Sequence, residues 1–267
     1  MAAVQPGEVF FYEPDILPYF LTPPLVISFL TTLLSIYYFS PLLSRTLIQA
    51  KENHSVSSNV LLHSGLSSTV HAIISSSLSV YLLVNGLIGT NRIFSKSPLG
   101  FTTIQISLGR YLCETIYILL NTEFQKDVGT VLHHIAVVVG LCLCLFYQGI
   151  AMFFVVYRFT AEISTPCGHL RMLLSHLGYK DGFLYVLTAM SALVLFIMCR
   201  IIVIPWHWYE LLTTISMKEC TLLMPLPFML WLLLIYITFD ILNTYWCYRI
   251  IRGAYKLCTR LSKRKAG

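Results

Sequence analysis

Seven mostly apolar stretches follow one another along the chain, separated by short polar or turn-forming segments. They comprise residues 16–39, 60–88, 99–120, 128–147, 150–165, 183–205 and 222–248. A helix needs about 20 mostly apolar residues to cross the hydrocarbon core, and it must satisfy its backbone polar groups within itself. The pattern therefore predicts an all-α, multi-pass transmembrane helical bundle of about seven spans.

The composition agrees with a protein that is solvated by lipid. Hydrophobic residues make up 57% of the chain and charged residues 11%, with a mean hydropathy of +0.74. Soluble domains carry about 25% charged residues, so this chain has too few to cover a water-exposed surface. Intrinsic disorder and a secreted disulfide scaffold are excluded as well. The eight cysteines contain no CxxC pair, and we interpret them mainly as small buried hydrophobic residues.

The basic residues are distributed unevenly. Seven of the 18 lie after residue 248, without an acidic residue among them. If the N terminus is outside, 12 basic residues lie in the inner connections and the tail, and 3 lie in the outer connections. The positive-inside rule then places the C terminus in the cytosol. No basic patch with stacking aromatic residues is visible, so nucleic acid is excluded as a partner.

The fifth stretch is too polar for a helix surrounded by lipid. Its apolar half is followed by Arg158 and Glu162, with hydroxyl side chains between and after them. We therefore expect the other helices to enclose it. The link Gln148-Gly149 is very short, which predicts an antiparallel hairpin of the fourth and fifth stretches.

Ionisable residues within a bilayer are costly and are often functional. Arg110 and Glu114 lie four residues apart in the third stretch, and Arg158 and Glu162 repeat this spacing in the fifth. Residues at this spacing share a helix face, so each pair can neutralise its own charge. Two interpretations stay open: ion pairs that lock the helices together, or a polar floor that holds a lipid headgroup or orients a catalytic group.

Further polar residues occur in other stretches. Asp240 and Asn243 share one face of the last stretch, and Arg200 lies near the end of the sixth, so a pair between Asp240 and Arg200 is one option. His71 lies in the serine-rich second stretch. Small hydroxyl residues favour close helix packing there, with a polar cavity as the alternative.

His133 and His134 lie one turn into the fourth stretch, after Asp127. Adjacent helical residues point about 100° apart, so one imidazole can face the interior while the other faces a neighbouring helix. A histidine can act as a general base or nucleophile in acyl transfer, with Asp127 or Glu162 orienting the ring. Packing or headgroup binding is the alternative. A metal is not expected, because adjacent histidines diverge, and no cofactor is predicted.

Several motifs together resemble the TLC-domain family. They are Leu132-His133-His134-Ile135, Tyr157 to Pro166 with the pattern Arg-x-x-x-Glu-x-Ser-x-Pro, Tyr111-Leu112-Cys113-Glu114, and Asp240-Ile241-Leu242-Asn243 leading to Trp246. The third resembles a Tyr-x-x-Asp motif, with Glu114 in place of the aspartate. The resemblance covers roughly residues 53–256. It divides the chain into an N-terminal segment with the first span (1–52), a TLC domain (53–256) and a basic cytosolic tail (257–267).

The resemblance implies a multi-helix membrane protein concerned with lipids. Ceramide synthases, the enzymatic branch, use a histidine pair to pass an acyl group from acyl-CoA to a sphingoid amine within a helical barrel. His133 and His134 match that pair. The chain also resembles small TLC-domain proteins of membrane lipid homeostasis, which is the first expectation. The basic end Lys263-Arg264-Lys265-Ala266-Gly267 resembles a dilysine retrieval signal for the endoplasmic reticulum, with the plasma membrane as the alternative location.

Two functions from different classes follow from these observations. In the first, the bundle binds a membrane lipid in an intramembrane polar cavity. In the alternative, it is an N-acyltransferase of ceramide-synthase type that uses a fatty acyl-CoA, with His133, His134 and Glu162 as catalytic residues. The expected lipid-binding residues are Arg110, Glu114, Arg158, His71, Asp240 and Asn243. A channel or transporter is disfavoured, since no internal repeat is visible.

Overall fold

The computed structural model describes residues 22–39, 56–86, 92–94, 96–120, 127–180, 182–216 and 226–266, and its regular structure within these ranges is helical. The α-helices are α1 (Pro23–Leu34), α2 (Val56–Val84), α3 (Pro98–Leu120), α4 (Val128–Phe146), α5 (Met152–Phe159), α6 (Thr165–His176), α7 (Phe183–Phe196), α8 (Ile204–Ile215) and α9 (Leu226–Ala266). Ser35–Phe39 and Ile197–Ile201 are π-helical, and Thr160–Ser164 is a 3₁₀ helix.

Most of the described helices form a ring in which each one packs against the next. The order around the ring is α2, α3, α4, α9 and α7, and the rod formed by α5, the 3₁₀ segment and α6 packs between α7 and α2. Helix α1 lies outside the ring against α3. The predicted all-α membrane bundle is thus confirmed.

Four described helical segments are long and apolar enough to cross a bilayer: Gly65–Val84, Val128–Phe146, Phe183–Ile215 and Leu226–Lys263. A fifth, Pro23–Tyr38, is apolar but shorter, and the first predicted stretch begins outside the described residues. Helix α3 buries several polar side chains, and the α5–α6 rod changes its helical type midway. The count of seven spans therefore stays a prediction.

The predicted tight turn joins α4 to α5. Gln148, Gly149 and Ala151 have positive φ angles of 53°, 84° and 62°, and together they reverse the chain. A Cβ atom on Gly149 would lie 2.7 Å from Cζ of Phe101, so this position also needs the small size of glycine. Beyond the turn, α5 packs mainly on α2 and α3, whereas α4 packs on α3 and α9. The two legs of the hairpin therefore diverge and leave space between them.

The fifth stretch, which forms α5 and the 3₁₀ segment, is enclosed by its neighbours, as expected from its polarity. Met152, Phe154 and Val156 are buried in the main hydrophobic cluster, together with residues of α3 and α4. At the far end of the rod, the Arg260 guanidinium of α9 donates a hydrogen bond to the backbone carbonyl of Lys180 at 2.8 Å. The rod is thus connected both to the core and to the basic end of α9.

Helix α1 is held against α3 by a close backbone approach. A Cβ atom on Gly109 would overlap the carbonyl oxygen of Leu25 and would lie 3.0 Å from the backbone nitrogen of Phe29. Backbone atoms cannot move aside as a flexible side chain can. Glycine at this position therefore determines how closely α1 and α3 can pack.

Replacing Gly109 by alanine should separate the two helices. We expect Gly109→Ala to lower the free energy of unfolding by about 1–3 kcal/mol, the usual range for overpacking. Thermal unfolding of the purified protein in detergent measures the change. Gly65→Ala is the matched control, because nothing lies within 4 Å of a Cβ there. Alanine has less backbone entropy than glycine in the unfolded chain, so the melting temperature of this variant should be unchanged or higher. Equal melting temperatures for the two variants would contradict the close-contact interpretation.

Candidate functional site

A cavity lies between the diverging legs of the hairpin, bounded also by α8 and α9. Its free space, including the open mouth, measures about 990 Å³. Near the hairpin turn the walls are apolar and include Ile150, Phe154 and Phe228. Away from the turn, α4 lines the cavity as far as His133, and α9 lines it as far as Asn243. The cavity is therefore an apolar slot with a polar end.

Glu162 and Arg200 form the centre of the polar end. The Glu162 carboxylate accepts hydrogen bonds from the Tyr111 hydroxyl at 3.0 Å and the Thr165 hydroxyl at 2.7 Å. Nη2 of Arg200 lies 4.0 Å from Oε1 of Glu162. Arg200 also donates to Oδ1 of Asn243 at 3.3 Å and to the Ser164 hydroxyl at 3.2 Å. This network joins the α5–α6 rod to α3, α9 and the π segment after α7.

Two helix irregularities carry these charged residues. Glu162 lies in the 3₁₀ segment, four residues before Pro166, which has no N–H to donate to the Glu162 carbonyl. Arg200 lies in the π segment, where the Ile202 N–H bonds the Ile197 carbonyl five residues back at 2.9 Å. That segment ends four residues before Pro205. Pro166 explains the 3₁₀ segment, and Pro205 follows the π segment. In both segments the side chains point in directions that a regular α-helix would not give.

The expected pair between Arg158 and Glu162 is wrong. Nη2 of Arg158 pairs instead with Oδ1 of Asp240 at 2.9 Å, and the indole N–H of Trp208 donates to the other oxygen of Asp240 at 2.7 Å. The helix tightens to 3₁₀ geometry at Thr160, so a spacing of four no longer keeps two residues on one face.

The optional pair between Asp240 and Arg200 is wrong as well. Asp240 is occupied by Arg158 from the α5–α6 rod, whereas Arg200 is bonded to the polar end around Glu162. Arg200 contacts Asn243 instead, which lies one turn along α9 from Asp240 on the same helix face. The two arginines therefore pair with carboxylates at two separate levels of the cavity.

The pair between Arg110 and Glu114 forms as the spacing predicted. Arg110 also donates to the Ser68 hydroxyl at 2.6 Å, and its guanidinium lies 4.2 Å from the Tyr111 ring centroid. Nε2 of His134 lies 3.9 Å from Oε2 of Glu114. This buried cluster lies beside the cavity and does not line it, except through Tyr111.

The two histidines point to different places, as expected for adjacent helical residues. His133 lines the cavity and packs its ring against Phe239 and Trp246, with centroids 5.5 and 5.3 Å apart. His134 is buried toward Glu114. Among the described residues, Nδ1 of His133 is buried without a hydrogen-bond partner. His133 is thus the histidine that a ligand in the cavity can reach.

The Tyr111 ring packs edge-on against the rings of three histidines. Its ring centroid lies 5.5 Å from those of His71 and His134, and 6.3 Å from that of His133. His71 is further held by the Ser107 hydroxyl, 3.0 Å from Nε2.

The expectation that Asp127 orients a histidine is not met, because Asp127 is exposed at the start of α4 and accepts a hydrogen bond from Thr130 at 3.1 Å.

The cavity also includes polar residues that the sequence interpretation missed, His207 and Tyr236. The hydrophobic pattern predicts that the sixth helix ends at Pro205, whereas in the structure a helix continues to Ile215 and includes His207. Tyr236 is one of many aromatic residues in an apolar stretch, and nothing in its spacing distinguishes it. Within the described ranges, no group of three His, Cys, Asp or Glu residues is placed to hold a metal ion.

The ion pair at the polar end should be needed for stability. Arg200→Gln leaves the buried Glu162 carboxylate without its cation, a loss of about 3–5 kcal/mol in the free energy of unfolding. Thermal unfolding in detergent measures the change, and combining the substitution with Glu162→Gln should recover part of the loss. Arg252→Gln is the control, since Arg252 is exposed on α9. Melting temperatures that are equal for Arg200→Gln and Arg252→Gln would contradict this role.

Comparisons with known proteins place the chain among its relatives. A family model described as the TLC domain matches residues 63–252. TLC domain-containing protein 4-B of Danio rerio is 28% identical over 207 residues, covering 76% of this chain and 78% of the relative. TLC domain-containing protein 4-A of Xenopus laevis is 27% identical over 193 residues, covering 71% and 74%. The match over most of the chain and the apolar helices together show that this multi-pass membrane protein belongs to the TLC-domain family.

Proposed function

We propose that this protein binds a membrane lipid in the cavity between α4, α5, α8 and α9, and that it acts in membrane lipid homeostasis. The observation that carries the proposal is the cavity itself, an apolar slot that ends in a buried polar cluster. Specific small-molecule sites are typically concave and apolar, with a few placed polar groups. A lipid matches this arrangement, because its apolar chain fits the apolar walls and its polar headgroup fits the polar end.

The polar end determines which lipid is preferred. A lipid that enters from the bilayer leaves surroundings as apolar as the cavity walls, so burial of its chain gives little net free energy. Hydrogen bonds at the polar end are made only by the correct headgroup. Nδ1 of His133, buried without a partner in the described part of the chain, is one group that such a headgroup can satisfy.

Some of the proposed site residues line the cavity, and others lie behind its wall. His133, Glu162, Arg158 and Asn243 line the cavity, so they are proposed to contact the lipid. The other members of the expected set support the site from behind it: Arg110, Glu114, His71, His134 and Asp240 are not cavity-lining residues. Asp240, for example, fixes Arg158 by the ion pair at 2.9 Å.

Filling the cavity should displace the lipid. Ala136 lines the cavity on α4, whereas its neighbour Ile135 is exposed on the outer face of the same helix. We expect Ala136→Trp to reduce lipid that copurifies with the protein at least severalfold, because the indole occupies the slot. Ile135→Trp should leave it unchanged. Mass spectrometry of extracted lipids, normalised to protein, measures both, and equal lipid content in the two variants would argue against binding in this cavity.

Acyl transfer is the second candidate function, favoured by the position of His133. A histidine that lines the cavity and has an unpartnered ring nitrogen can act as a general base or as a transient acyl carrier. The Glu162 carboxylate at the same end can stabilise an imidazolium in that environment. The proposed reaction moves an acyl group from acyl-CoA to the amine of a sphingoid base and releases free CoA.

The two functions are separated by an activity measurement. If the protein is an acyltransferase, the purified chain supplied with labelled acyl-CoA and a sphingoid base forms a labelled amide, and His133→Ala lowers the rate by at least about 100-fold, as for loss of a general base. His134→Ala serves as the comparison, because His134 lies behind the cavity wall. Absence of product with every acyl donor, together with retained lipid, would leave lipid binding as the function.

The location and orientation are part of the same proposal. The 12-to-3 bias of basic residues supports a cytosolic C terminus. The basic tail supports the endoplasmic reticulum membrane, with the plasma membrane as the alternative, and its last residue lies outside the described part of the chain. A domain division at residues 53 and 256 fits the family match to residues 63–252 within it.

A further inference from the structure

A second set of polar side chains lines the cavity at a different level from His133 and Glu162. It consists of Arg158, His207 and Tyr236, from α5, α8 and α9. His207 and Tyr236 are each only 2% exposed. Among the described residues, neither ring nitrogen of His207 has a hydrogen-bond partner. The Tyr236 hydroxyl interacts with the Arg158 guanidinium and can form a further hydrogen bond, because a phenol both donates and accepts. Two buried ring nitrogens without partners and a partly satisfied hydroxyl therefore meet on one stretch of the cavity wall.

Packing alone does not account for these side chains. The His207 ring packs edge-on against Tyr157, with centroids 4.3 Å apart, and Arg158 lies 4.3 Å from the Tyr236 ring centroid. Phenylalanine or leucine would make similar apolar contacts without burying polar atoms. A buried donor or acceptor without a partner is unfavourable, so the arrangement is explained if a ligand supplies the missing partners.

The charge balance at this level restricts the ligand group. The Arg158 guanidinium is neutralised by Asp240 at 2.9 Å, and Asp240 receives a further hydrogen bond from Trp208. An additional ion here would have no counter-charge in a low-dielectric interior. A neutral imidazole offers one donor and one acceptor, and a phenol can do both. The partner group is therefore uncharged and can both donate and accept, as a hydroxyl or an amide does.

The two polar levels lie a defined distance apart. Tyr236 and Asn243 are separated by seven residues of the continuous helix α9. The α-helical rise places them about 10 Å apart along the helix axis. A ligand whose head reaches the His133 end thus passes the second level part of the way down its chain.

We propose that Arg158, His207 and Tyr236 form a second polar subsite, which binds an uncharged hydroxyl or amide group on the chain of the lipid, about 10 Å from its head. The inference rests on the proposed lipid-binding function and deepens it. It implies that the preferred ligand carries two polar groups, and that a lipid with a plain hydrocarbon chain occupies the cavity less well.

The test uses the purified full-length protein in detergent and a set of long-chain alcohols. The probes are octadecanol, the octadecanediols with a second hydroxyl near the head, near mid-chain or near the tail end, and a matching alcohol with a mid-chain carboxylate. We expect the mid-chain diol to bind roughly tenfold tighter than octadecanol, as one or two added hydrogen bonds would give. The other diols and the mid-chain carboxylate should show no such gain. Displacement of a fluorescent fatty alcohol measures the affinities.

Conservative variants assign the preference to the subsite. Tyr236→Phe and His207→Phe keep an aromatic ring and remove the polar atoms, so each should abolish the gain of the mid-chain diol while octadecanol binds as before. Tyr245→Phe, at an exposed position of α9, is the matched control and should keep the gain. Melting temperatures close to that of the unsubstituted protein establish that the variants are folded.

The outcomes separate this inference from the proposed function. If octadecanol binds and no diol binds tighter, the unpartnered atoms are satisfied by water alone and the subsite is overturned, while lipid binding stands. Preference for the mid-chain carboxylate would overturn the uncharged character of the group. If none of the alcohols binds, the lipid-binding function and the subsite both fail.

Discussion

Within the described part of the chain, three arginine–carboxylate pairs hold charged side chains in the apolar interior of the bundle. Arg110 pairs with Glu114 within α3, Arg158 with Asp240 between α5 and α9, and Arg200 approaches Glu162 between the π segment and the 3₁₀ segment. A single ionised group in hydrocarbon is unfavourable by several kcal/mol, so each charge constrains where its partner can be. Two of the pairs cross between helices and therefore fix the relative position of the α5–α6 rod, α9 and the end of α7.

This constraint explains why a cavity persists in an apolar bundle. The pairs of Arg158 with Asp240 and of Arg200 with Glu162 connect the rod to α9 and to the π segment, which lie on other walls of the cavity. The hairpin turn at Tyr147–Ala151 reverses the chain, and the ion pairs oppose movement of the rod away from these walls. The interior net charge from the three pairs is zero, which favours polar but uncharged ligand groups.

Periodicity and local spacing were enough to predict the all-helical membrane bundle, the turn at Gln148-Gly149 and the Arg110–Glu114 pair. They failed where the helix was not an α-helix. The rule that residues four apart share a face assumes 3.6 residues per turn, and Glu162 lies in a 3₁₀ segment. Pro166 and Pro205 were the available signals, since each removes a hydrogen bond to a carbonyl four residues earlier. Pairing between distant helices, as for Arg158 and Asp240, depends on tertiary packing that one sequence does not contain.

The last helix is longer than the hydrocarbon core of a membrane is thick. With 41 residues it is about 60 Å long, whereas a hydrocarbon core is about 30 Å thick. Its membrane half bears Tyr236 and Asn243 on the cavity wall, and its far half bears Arg252, Lys256 and Lys263. An unbroken helix behaves as a stiff lever, so a small change of tilt beside the cavity becomes a larger displacement at its basic end.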